Sequence, residues 1–216
     1  MAAESALSAT FISDEDAWAL ADEANAAVVL QTTTRGQHWS QVGVVPAAPN
    51  DTGVTQIRFA DAKDGWAFGP VLYATHDGGA TWDAVSLPGD VLSLEAADGI
   101  VWVVVGGCLG AVPCSPPSSL YRASAASDVW QPVPGISLSS GGQLALHGTA
   151  VYVFSSTILF SSDGTSFSFR PYPCSGGPSA IASADSVAVL CVSGQGAGSS
   201  TKEIFVSSDA AQTFHQ

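Results

Sequence analysis

The residues Thr75 to Trp82 decide the fold of this 216-residue chain. They read Thr-His-Asp-Gly-Gly-Ala-Thr-Trp and follow a short apolar run, Val71 to Ala74. Asp and Gly tolerate the backbone angles of tight turns, and an Asp side chain can accept hydrogen bonds from its own turn. The segment therefore predicts a β-hairpin whose second strand opens with a core aromatic residue.

The same hairpin recurs along the chain. Residues 207–214 read Ser-Ser-Asp-Ala-Ala-Gln-Thr-Phe, and residues 161–167 are a copy one residue shorter. Residues 32–39 keep the Gly and the Trp without the Asp, and Trp130 ends an eroded copy, Ala123 to Val129. Successive aromatic anchors are 37 to 48 residues apart. A period in the forties is typical of the four-stranded blades of a β-propeller.

A second mark lies earlier in the repeat. Phe11 precedes Trp18 by the same spacing as Phe59 precedes Trp66, with polar residues between. Short runs rich in Val, Ile and aromatic residues predict buried strands, and no helical periodicity is sustained. The sequence thus predicts an all-β propeller of about five four-stranded blades in a single domain, 1–216, with repeats at about 8–45, 55–89, 91–135, 143–172 and 179–216.

The hairpin resembles the Asp-box, or bacterial neuraminidase repeat, of sialidases and many non-catalytic propellers. The pairing of Asp64-Gly-Trp-Ala67 with the hairpin at Thr75 to Trp82 looks most like propellers related to photosystem II assembly factors. The resemblance implies a structural role for the box residues: Thr75, Asp77, Gly79, Thr81, Trp82, Ser161, Asp163, Phe167, Ser207, Asp209, Thr213 and Phe214. It also implies six or seven blades, so five repeats indicate either a five-bladed ring or an incomplete part of a larger one.

The composition excludes some partners. The formal net charge is −13, from 19 Asp and Glu against 6 Lys and Arg. Such a chain repels phosphate backbones and anionic membrane surfaces, so nucleic acid is not an expected partner. No apolar run is long enough to span a bilayer, and the first residues do not form a signal peptide. We therefore expect either a cytosolic protein or one whose signal is not present in this chain.

The cysteines favour an exported protein. None of the four has Cys-x-x-Cys spacing, so neither a zinc site nor any other metal or cofactor is predicted. Two disulfides, Cys108–Cys114 and Cys174–Cys191, are expected. The first would close a short loop. The second would join the entrance to one strand with the end of the next, and the alternative is that Cys191 is an apolar core residue.

The resemblance to propellers implies that a ligand binds on the face formed by the loops between strands two and three of each blade and by the loops between blades. The long loops predicted there are 43–55, 106–119, 132–142, 172–179 and 193–201. Candidate ligand-binding residues near this face are Arg58, Tyr121, Arg170 and Tyr172. No catalytic residue is predicted.

Three functions are consistent with the sequence. The first is a non-catalytic binding or assembly module for a protein, peptide or glycan. The second is a sialidase-like glycosidase, which by resemblance needs three convergent arginines and a Tyr–Glu pair. The chain has only four arginines, and Arg35 and Arg122 are placed in or beside hairpins on the opposite face. The third is a purely structural domain of a cell-surface protein.

Overall fold

The computed structural model describes residues 5–47, 53–107, 117–138, 141–174, 178–183, 186–196 and 199–216. In these ranges the chain forms five antiparallel sheets and no helix. Each sheet is a meander in which consecutive strands pair, which is the blade of a β-propeller. The predicted all-β architecture of about five blades is confirmed.

The strands are distributed over the five sheets as follows. The first sheet contains β1 (Ser5–Phe11), β2 (Ala17–Glu23), β3 (Ala26–Thr32) and β4 (Ser40–Val45), and the second contains β5 (Gln56–Phe59), β6 (Gly65–Phe68), β7 (Leu72–Thr75) and β8 (Asp83–Val85). The third contains β9 (Asp90–Ala97), β10 (Ile100–Gly106), β11 (Ser119–Ser124) and β12 (Gln131–Pro132). The fourth contains β13 (Gln143–His147), β14 (Ala150–Phe154), β15 (Ile158–Ser161) and β16 (Ser168–Arg170), and the fifth contains β17 (Pro178–Ser183), β18 (Ser186–Gly196) and β19 (Ser199–Ser207).

The core lies between successive sheets, because alternate side chains of a strand point to opposite faces. We call the face toward the next sheet the forward face and the face toward the preceding sheet the backward face. Trp18 and Val29 of the first forward face pack with Ile57 and Phe59 of the second backward face. Three further apolar clusters fill the spaces between the second and third, third and fourth, and fourth and fifth sheets.

Hydroxyl groups join neighbouring inner strands. The Ser8 hydroxyl accepts a hydrogen bond from the Ile57 N–H at 3.3 Å, and the Ser93 hydroxyl accepts one from the Leu144 N–H at 3.0 Å. The first strand of a sheet otherwise has an unpaired edge, which a protein must cover or satisfy. Serine hydroxyl groups on first strands therefore join the first sheet to the second and the third sheet to the fourth.

Two expectations from the sequence change here. Of the predicted long loop 193–201, residues 193–196 and 199–201 instead continue a hairpin in which β18 and β19 pair as far as Gly196 and Ser199. A run of small residues without Pro can extend a two-stranded ribbon, although the same composition is typical of loops. The fourth strand of the fifth sheet is represented by one bridge, between Val206 and His215.

The disulfide Cys174–Cys191 is confirmed, with a Cα–Cα distance of 5.2 Å. Cys174 precedes β17. Cys191, on β18, is paired with Pro178, the first residue of β17, so both cysteines lie at the same rim of the fifth sheet. The expected pair Cys108–Cys114 lies outside the described residues.

Candidate functional site

The hairpin between β7 and β8 is organised by the Asp77 carboxylate. It accepts hydrogen bonds from the Thr75 hydroxyl at 2.8 Å, the Thr81 N–H at 2.9 Å and the Thr81 hydroxyl at 2.6 Å. The Thr75 hydroxyl also accepts a hydrogen bond from the Gly79 N–H at 3.0 Å. These bonds to the charged form, chiefly from Thr81, lower the pKa of Asp77 from 3.8 to about 2.

The same arrangement recurs in the fourth and fifth sheets. Asp163 accepts from the Thr165 N–H at 2.8 Å, and Asp209 accepts from the Thr213 hydroxyl at 2.6 Å. Each carboxylate also accepts the hydroxyl of the serine two residues earlier. Hydrogen bonding lowers the pKa of both carboxyl groups well below the usual range. The carboxylates are thus engaged within their own turns.

Each of these turns also receives a side chain from the preceding sheet. The residue after the Asp is left-handed, with φ of 77° at Gly78, 68° at Gly164 and 57° at Ala210. Its carbonyl oxygen accepts a hydrogen bond from the neighbouring blade in all three cases. The donors are Trp18 Nε1 to Gly78 at 3.0 Å, Arg122 to Gly164 at 2.8 Å and Arg170 Nε to Ala210 at 3.1 Å. We call these three contacts the turn latches.

The boundary between the second and third sheets differs. Trp66 has the position in β6 that Trp18 has in β2, and the hairpin it faces is the eroded copy that ends at Trp130. Within the described part of the chain, the buried Trp66 Nε1 has no hydrogen-bond partner. The latch is therefore missing where the hairpin sequence has degenerated.

A histidine bridges the second and third sheets on the same hairpin face. His76 Nδ1 lies 2.6 Å from Asp64 Oδ1, and Nε2 lies 3.3 Å from Asp128 Oδ2. The hydrogen bond to Asp64, with support from Asp128, raises the pKa of His76. Only the protonated ring can donate to both carboxylates. Sequence reasoning missed this group because Asp128 is far from His76 in the chain.

The four predicted ligand-binding residues do not form one site. Arg58 on β5 makes an ion pair with Glu95 on β9 at 2.9 Å, and its guanidinium lies 6.0 Å from the centre of the Phe68 ring. Burial raises the pKa of Glu95, and the Arg58 charge opposes the shift. Tyr121 on β11 packs against the cluster between the same two sheets.

The other two predicted residues lie at a different boundary. The Arg170 guanidinium lies 4.8 Å from the centre of the Phe160 ring, and its Nε forms the latch to Ala210. Tyr172 packs on the cluster between the fourth and fifth sheets, and burial raises its pKa. The structure therefore places the predicted residues as two pairs at two boundaries between sheets.

A cleft on the loop face is the better candidate site. It has a volume of about 250 Å³ and lies between the second and third sheets. Its walls are the turn Pro70 to Tyr73 and the connection Ala84 to Leu87 with Gly89 to Val91. The Val91 N–H donates to the Pro70 carbonyl at 2.7 Å, so the two sheets are joined at the floor. Val71 is partly exposed at this cleft, and Asp90 is its one carboxylate.

Cavities also lie elsewhere in the described ranges. One, of about 190 Å³, is on the loop face between the third and fourth sheets and includes Ile136, Leu159 and the exposed Phe169. Another, of about 400 Å³, is on the hairpin face of the third sheet beside Ile100 and Val129. No group of His, Cys, Asp or Glu among the described side chains is arranged to hold a metal ion. No helix in the same ranges is long and apolar enough to cross a membrane.

Comparisons with known proteins agree with this architecture. No family model matches the chain, and no curated protein sequence matches it. Among solved structures, YCF48 bound to D1 peptide is 18% identical with a TM-score of 0.65, over 99% of this chain and 68% of that chain. YCF48 from Cyanidioschyzon merolae is 17% identical with a TM-score of 0.58, over 95% and 67%.

A glycosidase is similar in shape as well. The GH74 xyloglucanase from Xanthomonas campestris is 16% identical with a TM-score of 0.65, over 97% of this chain and 31% of the enzyme. At these identities the likeness concerns the fold, since propellers support unrelated functions. Strand order, packing and structural likeness together identify the chain as a β-propeller.

Proposed function

We propose that the chain is a non-catalytic propeller that binds a peptide or protein segment at the loop-face cleft between the second and third sheets. The non-catalytic part of this proposal rests on the position of the four arginines. Arg35 pairs with Glu15, Arg58 pairs with Glu95, and Arg122 and Arg170 form turn latches. They contact their own chain on four different sheets, whereas a sialidase needs three to converge on one substrate carboxylate.

The chemistry of the cleft fits an apolar side chain on an extended segment. Val71, Leu72, Val85 and Leu87 provide apolar walls, and the backbone around them provides polar groups. Pockets with this mixture bind by burial of apolar surface and take orientation from a few polar groups. The peptide bound by YCF48 supports a peptide ligand by analogy of fold.

We also infer export, because the Cys174–Cys191 disulfide persists best in an oxidising compartment. The turn hydrogen bonds of Asp77 and its counterparts support the Asp-box interpretation of the hairpins. A glycan ligand is a less favoured form of the proposal, because the cleft has no arginine and its only aromatic lining residue is Tyr73, whose hydroxyl donates to the Pro46 carbonyl.

The proposal is tested with a displayed library of random peptides selected against the folded chain. Val71→Glu places a carboxylate in the cleft, and Val44→Glu makes the same change at an exposed site on β4. We expect Val71→Glu to weaken the selected peptides at least ~10-fold and Val44→Glu to leave them unchanged. Equal effects of both variants would place binding elsewhere.

The enzymatic alternatives are tested separately. We expect no turnover of a fluorogenic sialoside or of xyloglucan by the purified chain. Turnover that disappears in Arg58→Ala would overturn the non-catalytic assignment, because that guanidinium is paired with Glu95 in the structure.

A further inference from the structure

Asp90 is a charged residue in the loop-face cleft between the second and third sheets. It begins β9, is half-buried, and is the one residue with a charge at neutral pH among the described residues that line the cleft. Within the described part of the chain, its carboxylate takes part in no hydrogen bond or ion pair. Partial removal of an unpaired carboxylate from water raises its free energy, so a cation beside it would be favourable.

Carboxylates at many other places in the molecule are already engaged. Glu15 and Glu95 pair with arginines, and Asp64 and Asp128 share the imidazole of His76. The carboxylates of the three hairpin turns accept hydrogen bonds within those turns. Asp90 differs from all of these because it combines a carboxylate without a partner and a position in a cavity.

The chain provides no counter-ion of its own for Asp90. It has 6 Lys and Arg, all of them in the ranges that the structure describes, and its four arginines are engaged elsewhere. Lys63 lies in the turn between β5 and β6, where its carbonyl accepts a hydrogen bond from the Gly78 N–H at 3.0 Å. That turn is at the hairpin end of the second sheet, opposite the cleft. Lys202 lies on β19 of the fifth sheet, so a cation beside Asp90 has to come from a ligand.

We propose that the cleft recognises an apolar side chain of its ligand together with a cationic group next to it, and that Asp90 determines this preference. The inference rests on the peptide-binding function proposed above. The apolar side chain packs between Val71 on one wall and Leu87 on the other. The cation is a basic side chain close to this residue or the free amino terminus of the peptide. A Lys or Arg side chain is long enough to lay its apolar stem along the cleft and bring its charge to Asp90.

The local contribution of Asp90 can be separated from the attraction that a net charge of −13 exerts on any cation. Attraction by the whole molecule acts mainly on the association rate and changes equally whichever carboxylate is removed. A pair formed in the cleft acts on the dissociation rate and is lost only when Asp90 is changed. Asp98 provides the matched control, because it is an exposed carboxylate just after β9, roughly 25 Å along the strand from Asp90.

The test selects the same library of random peptides against the wild type, Asp90→Asn and Asp98→Asn. Peptides from the wild-type selection are then made with norleucine in place of each Lys, and with the amino terminus free or acetylated. Their affinities and dissociation rates are measured on all three chains and on Val71→Glu. Unfolding midpoints of the two Asn variants should equal that of the wild type, since neither carboxylate has a partner in the described structure.

We expect loss of the cation to weaken binding to the wild type and to Asp98→Asn by about 3- to 10-fold, mainly through faster dissociation. On Asp90→Asn the same loss should change the affinity less than ~2-fold. Norleucine and acetylation show whether the cation is a side chain or the terminal amine, and either result supports the proposal.

Two failures are distinguishable. Peptides that require Val71 but show no preference for a cation, or show the same preference on Asp90→Asn as on Asp98→Asn, would overturn the role of Asp90 and leave peptide binding at the cleft intact. Selected peptides whose affinity is unchanged by Val71→Glu would overturn the proposed function, and the role of Asp90 with it.

Discussion

Removal of the Asp77 side chain tests the structural role of the hairpin most directly. In Asp77→Ala the hydroxyl and N–H of Thr81 and the hydroxyl of Thr75 lose their shared acceptor. Hydrogen bonds to a charged acceptor contribute more than neutral ones, but water reaches this exposed turn and replaces part of the loss. We expect the free energy of unfolding to fall by about 1–2 kcal/mol.

The assay is thermal and urea unfolding of the wild type, Asp77→Ala and Asp83→Ala. Asp83 is an exposed carboxylate at the start of β8, so its removal controls for net charge. The midpoint of Asp77→Ala should fall by about 2–4 °C for each kcal/mol lost. An unchanged midpoint, or equal effects of the two substitutions, would refute the structural role of the carboxylate.

The pH dependence of the same pair provides a second check. The pKa of Asp77 in the folded chain is about 2, below its ordinary value of 3.8. Because the folded pKa is lowered, the stabilisation is present above pH 3.8 and is lost as the pH falls toward about 2. The stability difference between wild type and Asp77→Ala should therefore be constant near neutrality and shrink in that acidic window.

Four further predictions follow from the contacts between and within sheets. His76→Gln should lower the free energy of unfolding more at about pH 5.5 than at about pH 8.5, as urea unfolding at the two pH values measures. The pKa of His76 is raised in the folded chain, so its stabilising contribution is present below about pH 6.5 and is lost as the pH rises through the folded pKa. Trp18→Phe should lower the free energy of unfolding by about 1 kcal/mol through loss of its turn latch. In the same unfolding assay Trp66→Phe, which removes an N–H group without a partner, should lower it less, and the reverse order would contradict a stabilising role of the latch. We expect the free energy of unfolding to fall by about 3 kcal/mol when the Cys174–Cys191 disulfide, which joins residues 17 apart, is reduced or replaced by two serines. Calorimetry with and without reductant measures this loss, and an unchanged unfolding temperature would show that the disulfide does not stabilise the fold. Arg58→Ala should destabilise rather than alter peptide affinity, since Glu95 would be left half-buried without its partner.

The sequence predicts those parts of the fold that depend on local chemistry. The turn at Thr75 to Trp82 and its copies contain both the hydrogen-bond donors and the acceptor of each hairpin, so the positions of the hairpins follow from the amino-acid sequence alone. The Cys174–Cys191 pair was also predictable, because β17 leads away from one rim of the fifth sheet and β18 returns the chain to that same rim. The long β18–β19 ribbon was not, since its Gly and Ser content is equally typical of loops.

The candidate site depends on contacts between distant residues, and these were not predictable. The prediction that Arg58 and Arg170 bind a ligand rests on their position near the loop face, because loops on a rigid scaffold commonly contain binding residues. Their partners, Glu95 and the Ala210 carbonyl, lie 37 and 40 residues away in the chain. A single sequence gives no register between blades, so it could not show that these guanidinium groups are already occupied.

The charge of the molecule bears on the partner that we propose for the loop face. The chain has 6 basic residues, and its four arginines are held by carboxylates or turn carbonyls of the same molecule. A ligand carboxylate would therefore approach a molecule of formal net charge −13 whose four guanidinium groups are already engaged. A neutral or basic peptide avoids this repulsion, and a basic peptide also gains from long-range attraction that salt screens. Because electrostatic steering acts mainly on encounter, added salt should slow the association of a basic peptide more than it speeds its dissociation. An association rate that does not change with salt would indicate that apolar burial in the cleft dominates the binding free energy.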